Sequence, residues 1–449
     1  MWGPGAEREV SGFSIDTRTI SAGDLFLAIR GDRFDGNAYV PEAVGKGAVG
    51  AMVSDAALAS VAALAGTPLI IVPNTVAALQ TLAQRVRRDS GAAVVAVTGS
   101  AGKSTTKEIT AEFLAGRYTV FRNKGNLNNH IGLPLSLLEL RHKPDIGVLE
   151  LGMNHAGEIR TLVNIAEPDV RVWTNVGPAH LEFFGTVEAI AEAKAEILEG
   201  ADKDSVLVAN ADDDLVMRHA ATFKGRVRTF GVERPADVRA LAVRDLGIDG
   251  TAAIVRTPIG EAEIHTPLPG TANLSNVLAA AAVAIRFDVP LQDIVERAAG
   301  LKAVARRGEV IRGGGVTIVD DSYNSNPHAL SRALAMLGRE TRYSRRVAIV
   351  GEMLELGEAS PGLHRAAGEE VARADVGALV AVGGANARSI ADGAIEAGMP
   401  ASGVYHVENS TAAGELAATL VKAGDVVLVK GSRGIRTDVV VERLRAEFA

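Results

Sequence analysis

The sequence predicts an α/β protein of three domains, and three observations carry that reading. At 449 residues the chain has the length of three domains of about 150 residues each. Short β-branched runs alternate with Ala-rich helical stretches, the pattern of layered folds with parallel strands. One strand, Val94 to Thr98, runs directly into a Gly-rich turn and a helix.

The N-terminal segment holds a Gly-rich stretch, Gly23 to Gly50, and closes with a basic helical segment near Gln84 to Arg88. After Val94 to Thr98, further strands read at Ile146 to Leu151, Arg171 to Val176 and Ser205 to Asn210. A Gly/Pro-rich passage, Thr257 to Gly270, precedes an Ala-rich helix from Leu274 to Phe287. From Gly308 the alternation becomes regular. Strands read at Thr317 to Asp320, Val347 to Val350, Ala378 to Val382, Val404 to His406 and Val426 to Val429, with helical stretches between them. Such a run makes an open-sheet domain able to fold alone. The cuts near 88 and 307 give domains 1–88, 89–306 and 307–449. No fixed-period repeat is present.

Composition removes several classes of function. A 47% hydrophobic share supplies full cores and excludes disorder as the dominant state. The net charge of −7 argues against a nucleic-acid partner or binding to an anionic membrane. There is no cysteine, which excludes disulfides, thiol nucleophiles and Cys-ligated zinc and fits a reducing compartment. Met1 to Val10 is polar and mixed in charge, unlike an export signal. The longest apolar run, Val277 to Ile285, has nine residues, too few for stable membrane insertion. The expectation is a cytoplasmic protein.

The chemistry begins at Thr98-Gly-Ser-Ala-Gly-Lys-Ser-Thr105. Gly99 and Gly102 let the backbone curl so that successive N–H groups, including those of Ser100 and Ala101, face one anion at a helix start. Lys103 adds a charge for the β- and γ-phosphates, and the Ser104 hydroxyl is placed for Mg2+. The G-x-x-G-K-S spacing is two residues shorter than the usual phosphate loop, and a plain strand-to-helix turn with a surface lysine is the alternative. A phosphate loop implies a nucleoside triphosphate without choosing among kinase, GTPase, motor and ligase. Glu150 and His180 follow strands and project at the carboxyl edge of a parallel sheet, where such folds place their sites. A carboxylate there suits a hard Mg2+ ion, whereas His180 taken alone reads first as a loop histidine hydrogen-bonded to backbone. Lys194, among Glu188, Glu192, Glu196 and Glu199, reads as part of a solvated charged face. Asn273 and Asn276 share one side of a helix start, and capping by Thr271 or Asn273 explains them as well.

Further motifs follow in order: Gly125-Asn-Leu-Asn-Asn-His-Ile-Gly-Leu-Pro134, Leu149-Glu-Leu-Gly-Met-Asn154, Asn175-Val-Gly-Pro-Ala-His-Leu-Glu182 and Glu192-Ala-Lys-Ala-Glu-Ile197. Then come Gly270-Thr-Ala-Asn-Leu-Ser-Asn276, Asp320-Asp-Ser-Tyr-Asn-Ser-Asn-Pro327, Gly351-Glu-Met-Leu-Glu-Leu-Gly357 and Val429-Lys-Gly-Ser-Arg-Gly434. Together with the short phosphate loop they resemble the Mur ligases, the ATP-dependent amide-forming family of peptidoglycan synthesis, over nearly the whole chain. The resemblance implies a UDP-sugar substrate-binding domain (1–88), a central ATP-binding P-loop parallel-sheet domain (89–306) and a C-terminal Rossmann-like domain (307–449). Asp320 to Pro327, Gly351 to Gly357 and Lys430 to Gly434 most resemble the member that joins D-alanyl-D-alanine to UDP-N-acetylmuramoyl-tripeptide. Those two molecules are therefore the expected partners of a monomeric enzyme. A folylpolyglutamate synthase-like or cyanophycin synthetase-like ligase, or a nucleotide-controlled switch, is the alternative.

The resemblance also implies roles. Lys103, His180 and Lys194 are catalytic, with Ser104, Glu150, His180 and a carbamylated Lys194 around Mg2+. Gly99 to Thr105, Asn273, Asn276, Arg307, Asp321 and Tyr323 bind ATP, the last three once the domains close. Ala272 stands where the family usually has His. Lys430 and Arg433 bind the peptide carboxylate or neutralise an acyl phosphate. Asn129 touches the muramoyl part, and Thr17 and Arg18 the UDP-sugar. Asp35-Gly-Asn37 stands where the family has Asp-Gly-His. His364 aligns with a family histidine and carries no assigned role.

Overall fold

The computed structural model describes residues 8–31, 34–179 and 181–448. The Gly-rich N-terminal stretch folds as a four-stranded parallel sheet, β1 (Gly12–Ser14), β2 (Asp24–Leu27), β3 (Gly50–Val53) and β4 (Leu69–Ile71), in that order. The basic helical segment is the end of a helix, Thr75–Ser90, capped by the Asn74 side chain and closed by Gly91 at φ +71. Thr75, Leu79, Ala83 and Arg87 are buried at every fourth position, a single stripe down one face. Arg87 donates to the Ala166 carbonyl at 2.8 Å and Gln84 to that of Asn164 at 2.7 Å. The cut drawn at 88 therefore falls inside a helix that is fastened to the central domain.

That domain is a nine-stranded sheet. Its strands are β5 (Ala93–Thr98), β6 (Val120–Arg122), β7 (Ile146–Glu150), β8 (Val170–Trp173), β9 (Val206–Asn210), β10 (Arg226–Gly231), β11 (Val238–Asp245), β12 (Thr251–Thr257) and β13 (Gly260–Thr266). They run in the order β13-β12-β11-β10-β9-β8-β5-β7-β6. From β6 to β11 every pair is parallel, as expected, but β11, β12 and β13 are antiparallel. The Gly/Pro-rich passage is thus partly strand. Buried and exposed residues alternate along the ends of β12 and β13; one wet face is permitted to an antiparallel edge and hides the apolar run by which parallel strands are recognised. The Ala-rich helix, Gly270–Arg286, is buried from Asn276 to Ile285 and packs on the phosphate-loop helix, Lys103–Leu114.

The C-terminal sheet has six strands, β14 (Glu309–Gly313), β15 (Val316–Asp321), β16 (Arg345–Gly351), β17 (Ala378–Val382), β18 (Val404–Val407) and β19 (Asp425–Lys430), in the order β14-β15-β19-β16-β17-β18. All the strands read from the sequence are present and parallel. An antiparallel edge strand, β14, is added through a two-residue turn in which Gly314 and Gly315 both have positive φ, +53° and +77°. β19 lies between β15 and β16, so connections leave in opposite directions there, as they do around β5. Such switch points open a crevice at the carboxyl ends of the strands, and the two crevices face each other. Among the described residues no helix is long and apolar enough to cross a membrane.

Candidate active site

β5 delivers the chain to a turn that admits glycine alone at two positions. A Cβ on Gly99 (φ +149) would lie 1.9 Å from Thr174 Oγ1, and one on Gly102 (φ +82) 2.4 Å from Asn276 Oδ1. The expected cradle of successive amides is only partly available. The Ser100 and Ala101 N–H groups donate to the carbonyl and side-chain oxygens of Asn175, each at 2.9 Å. Ser100 Oγ donates to the Gly177 carbonyl at 3.1 Å. These bonds explain why β8 stops at Trp173 instead of reaching Val176: the segment after it is turned to hold the loop. The donors left for an anion are those of the first turn of Lys103–Leu114, which have no intrahelical acceptor.

Lys103 Nζ donates to the Gly99 carbonyl at 2.9 Å. Burial lowers its pKa, opposed by the Glu150 carboxylate and reinforced by the Arg307 guanidinium. Glu150 closes β7 and is 3% exposed. Its Oε2 accepts from Ser104 Oγ at 2.5 Å and its Oε1 from Asn128 Nδ2 at 2.8 Å. Its backbone N–H donates to Asn123 Oδ1 at 2.9 Å, while buried Lys107 donates to the Asn123 carbonyl at 2.5 Å. Asn175, Asn128, Asn123 and Lys107 thus build the site without having been singled out by sequence. The one available signal was that all four lie in or beside the quoted motifs.

Lys194 is 2% exposed, which overturns its reading as part of a solvated face. Within its helix, Val187–Ala195, Glu188 and Glu192 are exposed, while Glu196 turns inward to accept the N–H groups of Gly157 and Arg160 at 2.7 and 3.0 Å. Burial holds the Lys194 pKa well below its ordinary value, and Lys103 adds repulsion. His180 lies outside the described residues.

The opposing rim comes from the C-terminal domain. The Arg307 guanidinium lies 4.0 Å above the Tyr323 ring, with that of Arg433 5.7 Å away. Lys430, at the end of β19, donates to Asp321 at 2.6 Å and to the Asn324 carbonyl at 2.9 Å. Lys430, expected as a cation for the peptide carboxylate or an acyl phosphate, thus already has a carboxylate partner in Asp321. Between the rims lies a cleft of about 910 Å3 bordered by Ser100 to Thr105, Asn129, Glu150, Asn273, Asn276, Arg307, Asp321, Tyr323, Lys430 and Arg433.

Several expected ligand contacts are engaged in structure. Asn276 Oδ1 accepts from Thr106 Oγ1 at 3.1 Å, and Asn273 Nδ2 donates to the Pro269 carbonyl at 2.8 Å. Asn129 Oδ1 accepts from the Gly132 N–H at 2.8 Å. Thr17 and Arg18 do not border this cleft; Arg18 forks onto Asp16, with Nη2 at 2.5 Å, and the Thr17 carbonyl accepts from Lys46. Asn37 is 5% exposed and ties its loop to Asp35 and Ser54. His364 is fully buried: Nε2 accepts the Met353 N–H at 2.8 Å and Nδ1 sits 2.6 Å from the Ser360 carbonyl. It braces the 351–357 motif.

A phosphate loop facing a second α/β domain across a polar cleft defines a multidomain protein that binds a nucleoside triphosphate. Residues 9–87 match the Mur ligase catalytic domain, 97–284 the Mur ligase middle domain and 306–433 the Mur ligase glutamate ligase domain. The chain is 32% identical to the UDP-N-acetylmuramoyl-tripeptide–D-alanyl-D-alanine ligase of Bacillus subtilis (strain 168), covering 97% of this chain and 93% of that one. It is 34% identical to the ligase of the same name from Escherichia coli (strain K12), covering 98% and 95%. Among solved structures, MurF from Acinetobacter baumannii superposes with a TM-score of 0.87 at 30% identity over 97% of this chain and 94% of that one. MurF from Thermotoga maritima in complex with ADP superposes at 0.84, with 30% identity and 98% of each chain covered. The chain belongs to the Mur ligase family.

Proposed function

We propose that this enzyme joins D-alanyl-D-alanine to UDP-N-acetylmuramoyl-tripeptide at the expense of ATP, the last cytoplasmic ligation of the peptidoglycan pentapeptide precursor. The observation that carries the reading is the two-sided cleft, in which Lys103, Ser104 and Glu150 face Arg307, Tyr323 and the Asp321–Lys430 pair. The full-length match to relatives of that name supports the choice of substrates.

The tripeptide's terminal carboxylate attacks the γ-phosphorus and ADP leaves, giving an acyl phosphate. The amine of D-alanyl-D-alanine adds to its carbonyl carbon and loses a proton, and phosphate departs from the tetrahedral adduct. Phosphoryl transfer depends on positioning and charge. Lys103, half-buried and bonded to a backbone carbonyl, is the group whose cation an incoming phosphate stabilises. The first-turn amides orient that phosphate, and Arg307 approaches from the opposite domain. Closure of the cleft keeps water from the acyl phosphate.

The Ser104 hydroxyl and the Glu150 carboxylate are hard oxygen donors side by side, the set that holds Mg2+ together with phosphates and water. Among the described residues no cluster of three His, Cys, Asp or Glu surrounds a metal position; phosphates and water would complete the sphere, and the family resemblance alone adds His180. Ser104 and Glu150 would hold a Mg2+ ion whose charge would offset that of the phosphates. Carbamylation requires a neutral amine, and burial shifts Lys194 toward that form; its carbamate would supply a further anionic oxygen donor. Asn273 and Asn276 support the adenine side, Thr17 and Arg18 the UDP-sugar side, and Asn129 the muramoyl side. The working domains are an N-terminal sheet domain, a central domain that takes in the helix Thr75–Ser90, and a C-terminal domain from residue 307, in a cytoplasmic monomer.

The deciding experiment is phosphate release from Mg-ATP with UDP-N-acetylmuramoyl-tripeptide, with and without D-alanyl-D-alanine. Release that needs both, with a pentapeptide product by mass, is the expected result. Tight ATP binding without release on any muramoyl peptide overturns the reading.

A further inference from the structure

The antiparallel edge of the central sheet leaves its own domain. The turn between β11 and β12, residues 246–250, reaches into the C-terminal domain. Ile248 is 1% exposed and sits in the hydrophobic cluster of Leu330, Leu334 and Leu337; every other buried member of that cluster lies at or beyond Val319. The backbone is shaped for the entry. Gly247 has φ +64, and a Cβ on it would stand 1.9 Å from Glu340 Oε1.

Charge closes the rim. Glu340, 2% exposed, accepts the Ile248 N–H at 2.6 Å and pairs with Arg342 at 3.1 Å. Asp249 pairs with Arg312 at 2.5 Å and also with Arg342, and Asp245 pairs with Arg339 at 2.7 Å. The carboxylates of the turn thus meet arginines contributed by the other domain. If the turn were withdrawn, an isoleucine would enter water, a cavity would open in the C-terminal core, and the Glu340 carboxylate would lose its backbone donor.

The docked point is coupled to the cleft by one rigid element. Helix Pro327–Gly338 lies against the turn and is about 18 Å long at 1.5 Å per residue. Immediately before it stand Asp321 and Tyr323, which border the cleft. The covalent connection near Arg306 and Gly308 is a single chain crossing, where both residues have positive φ, +63° and +76°. One crossing leaves a domain free to rotate, whereas a second fixed point restricts it; the Glu182 N–H, donating to the Glu355 carbonyl at 3.1 Å, is a smaller contact between the same two domains. We infer that the 246–250 turn is the seat that holds the C-terminal domain over the phosphate loop, and that Ile248 and Glu340 are positioning residues for the ligase reaction.

The activity arm of the test rests on the proposed reaction, and the distance arm does not. Because the chain lacks cysteine, spin labels at Lys203→Cys and Arg388→Cys, both exposed positions, report the spacing of the two domains alone. Ile248→Asp is expected to broaden that distance distribution, lower kcat about 100-fold and raise KM for ATP, while Ile248→Val keeps the parent distribution and kcat. Asp245→Asn/Asp249→Asn alters only the rim and is expected to broaden the distribution with an about threefold loss of kcat. A parent distribution in Ile248→Asp, or a broadened one with parent kcat, overturns the inference. Should Ile248→Asp fail to fold, a parent distribution in the rim variant overturns it. An unlabelled parent enzyme inactive on the muramoyl substrate refutes the reaction instead and leaves the distance arm standing.

Discussion

Two lysines, one half-buried and one buried, stand at the carboxyl ends of the parallel strands of two sheets and are in opposite electrostatic states. Lys430 is neutralised by Asp321 and fixed by the Asn324 carbonyl. Lys103 has a carbonyl for a partner, no carboxylate in hydrogen-bond contact among the described residues, and a pKa lowered by burial. A cation partly withdrawn from water without a bonded anion is costly, and its persistence marks the place of an anionic ligand. A buried cation with its anion in place braces the fold. Both lysines look alike in sequence, each beside glycines at a strand end, and only the second partner tells them apart.

The largest effect follows from replacing the unanswered lysine. Lys103→Met is expected to cut phosphate release about 1000-fold while leaving the melting temperature equal or higher, because it removes a poorly solvated amine. Lys103 has a folded pKa below its unfolded one, so protonation opposes folding, and the relief grows as pH falls from the unfolded value of about 10.5. A lower melting temperature would break the comparison. Lys194→Met should follow the same pattern with an about 100-fold loss, and Lys194→Glu should retain more activity by restoring an anionic oxygen. Equal loss in both Lys194 variants would remove the carbamate from the account.

The answered lysine predicts the reverse. Lys430→Met strands Asp321, which is only a quarter exposed, and should lower stability by about 2–3 kcal/mol. Adding Asp321→Asn should recover most of that loss, since removing both members leaves no uncompensated charge. Chemical denaturation of the single and double variants measures both steps. A double variant no more stable than the single would show that the pair is not the source of the loss.

What the sequence disclosed depended on how locally each signal is written. The phosphate loop, Glu150 at its strand end and the C-terminal strands are set by neighbouring residues, and they fold where the pattern put them. The N-terminal strands have three or four residues, too few to show a period. Lys194 was disguised by acidic neighbours, of which Glu188 and Glu192 are exposed while Lys194 and Glu196 turn inward. Asn175, Asn128 and Asn123 act across long stretches of chain, so spacing gives no hint of their partners. The seat at Ile248 is the extreme case: an isoleucine in a Gly-rich turn declares nothing until another domain surrounds it.

His364 gives the smallest effect and extends the contrast to a group that must stay uncharged. Its ring accepts the Met353 N–H through Nε2 and donates to the Ser360 carbonyl through Nδ1, which fixes a neutral tautomer. Burial lowers its pKa. The folded pKa therefore lies below the unfolded value of about 6.5. Its contribution to stability is complete above that value and is lost as pH falls toward the folded pKa, because the unfolded chain takes up the proton first. His328 is also lowered by burial, so the isolating measurement is a difference: urea unfolding of parent and His364→Gln at pH 7.5 and 5.5. The parent should lose on the order of 1 kcal/mol more than the variant across that interval. Equal losses would mean that the buried imidazole tolerates its proton, and that the brace on the 351–357 motif does not depend on the tautomer drawn for it.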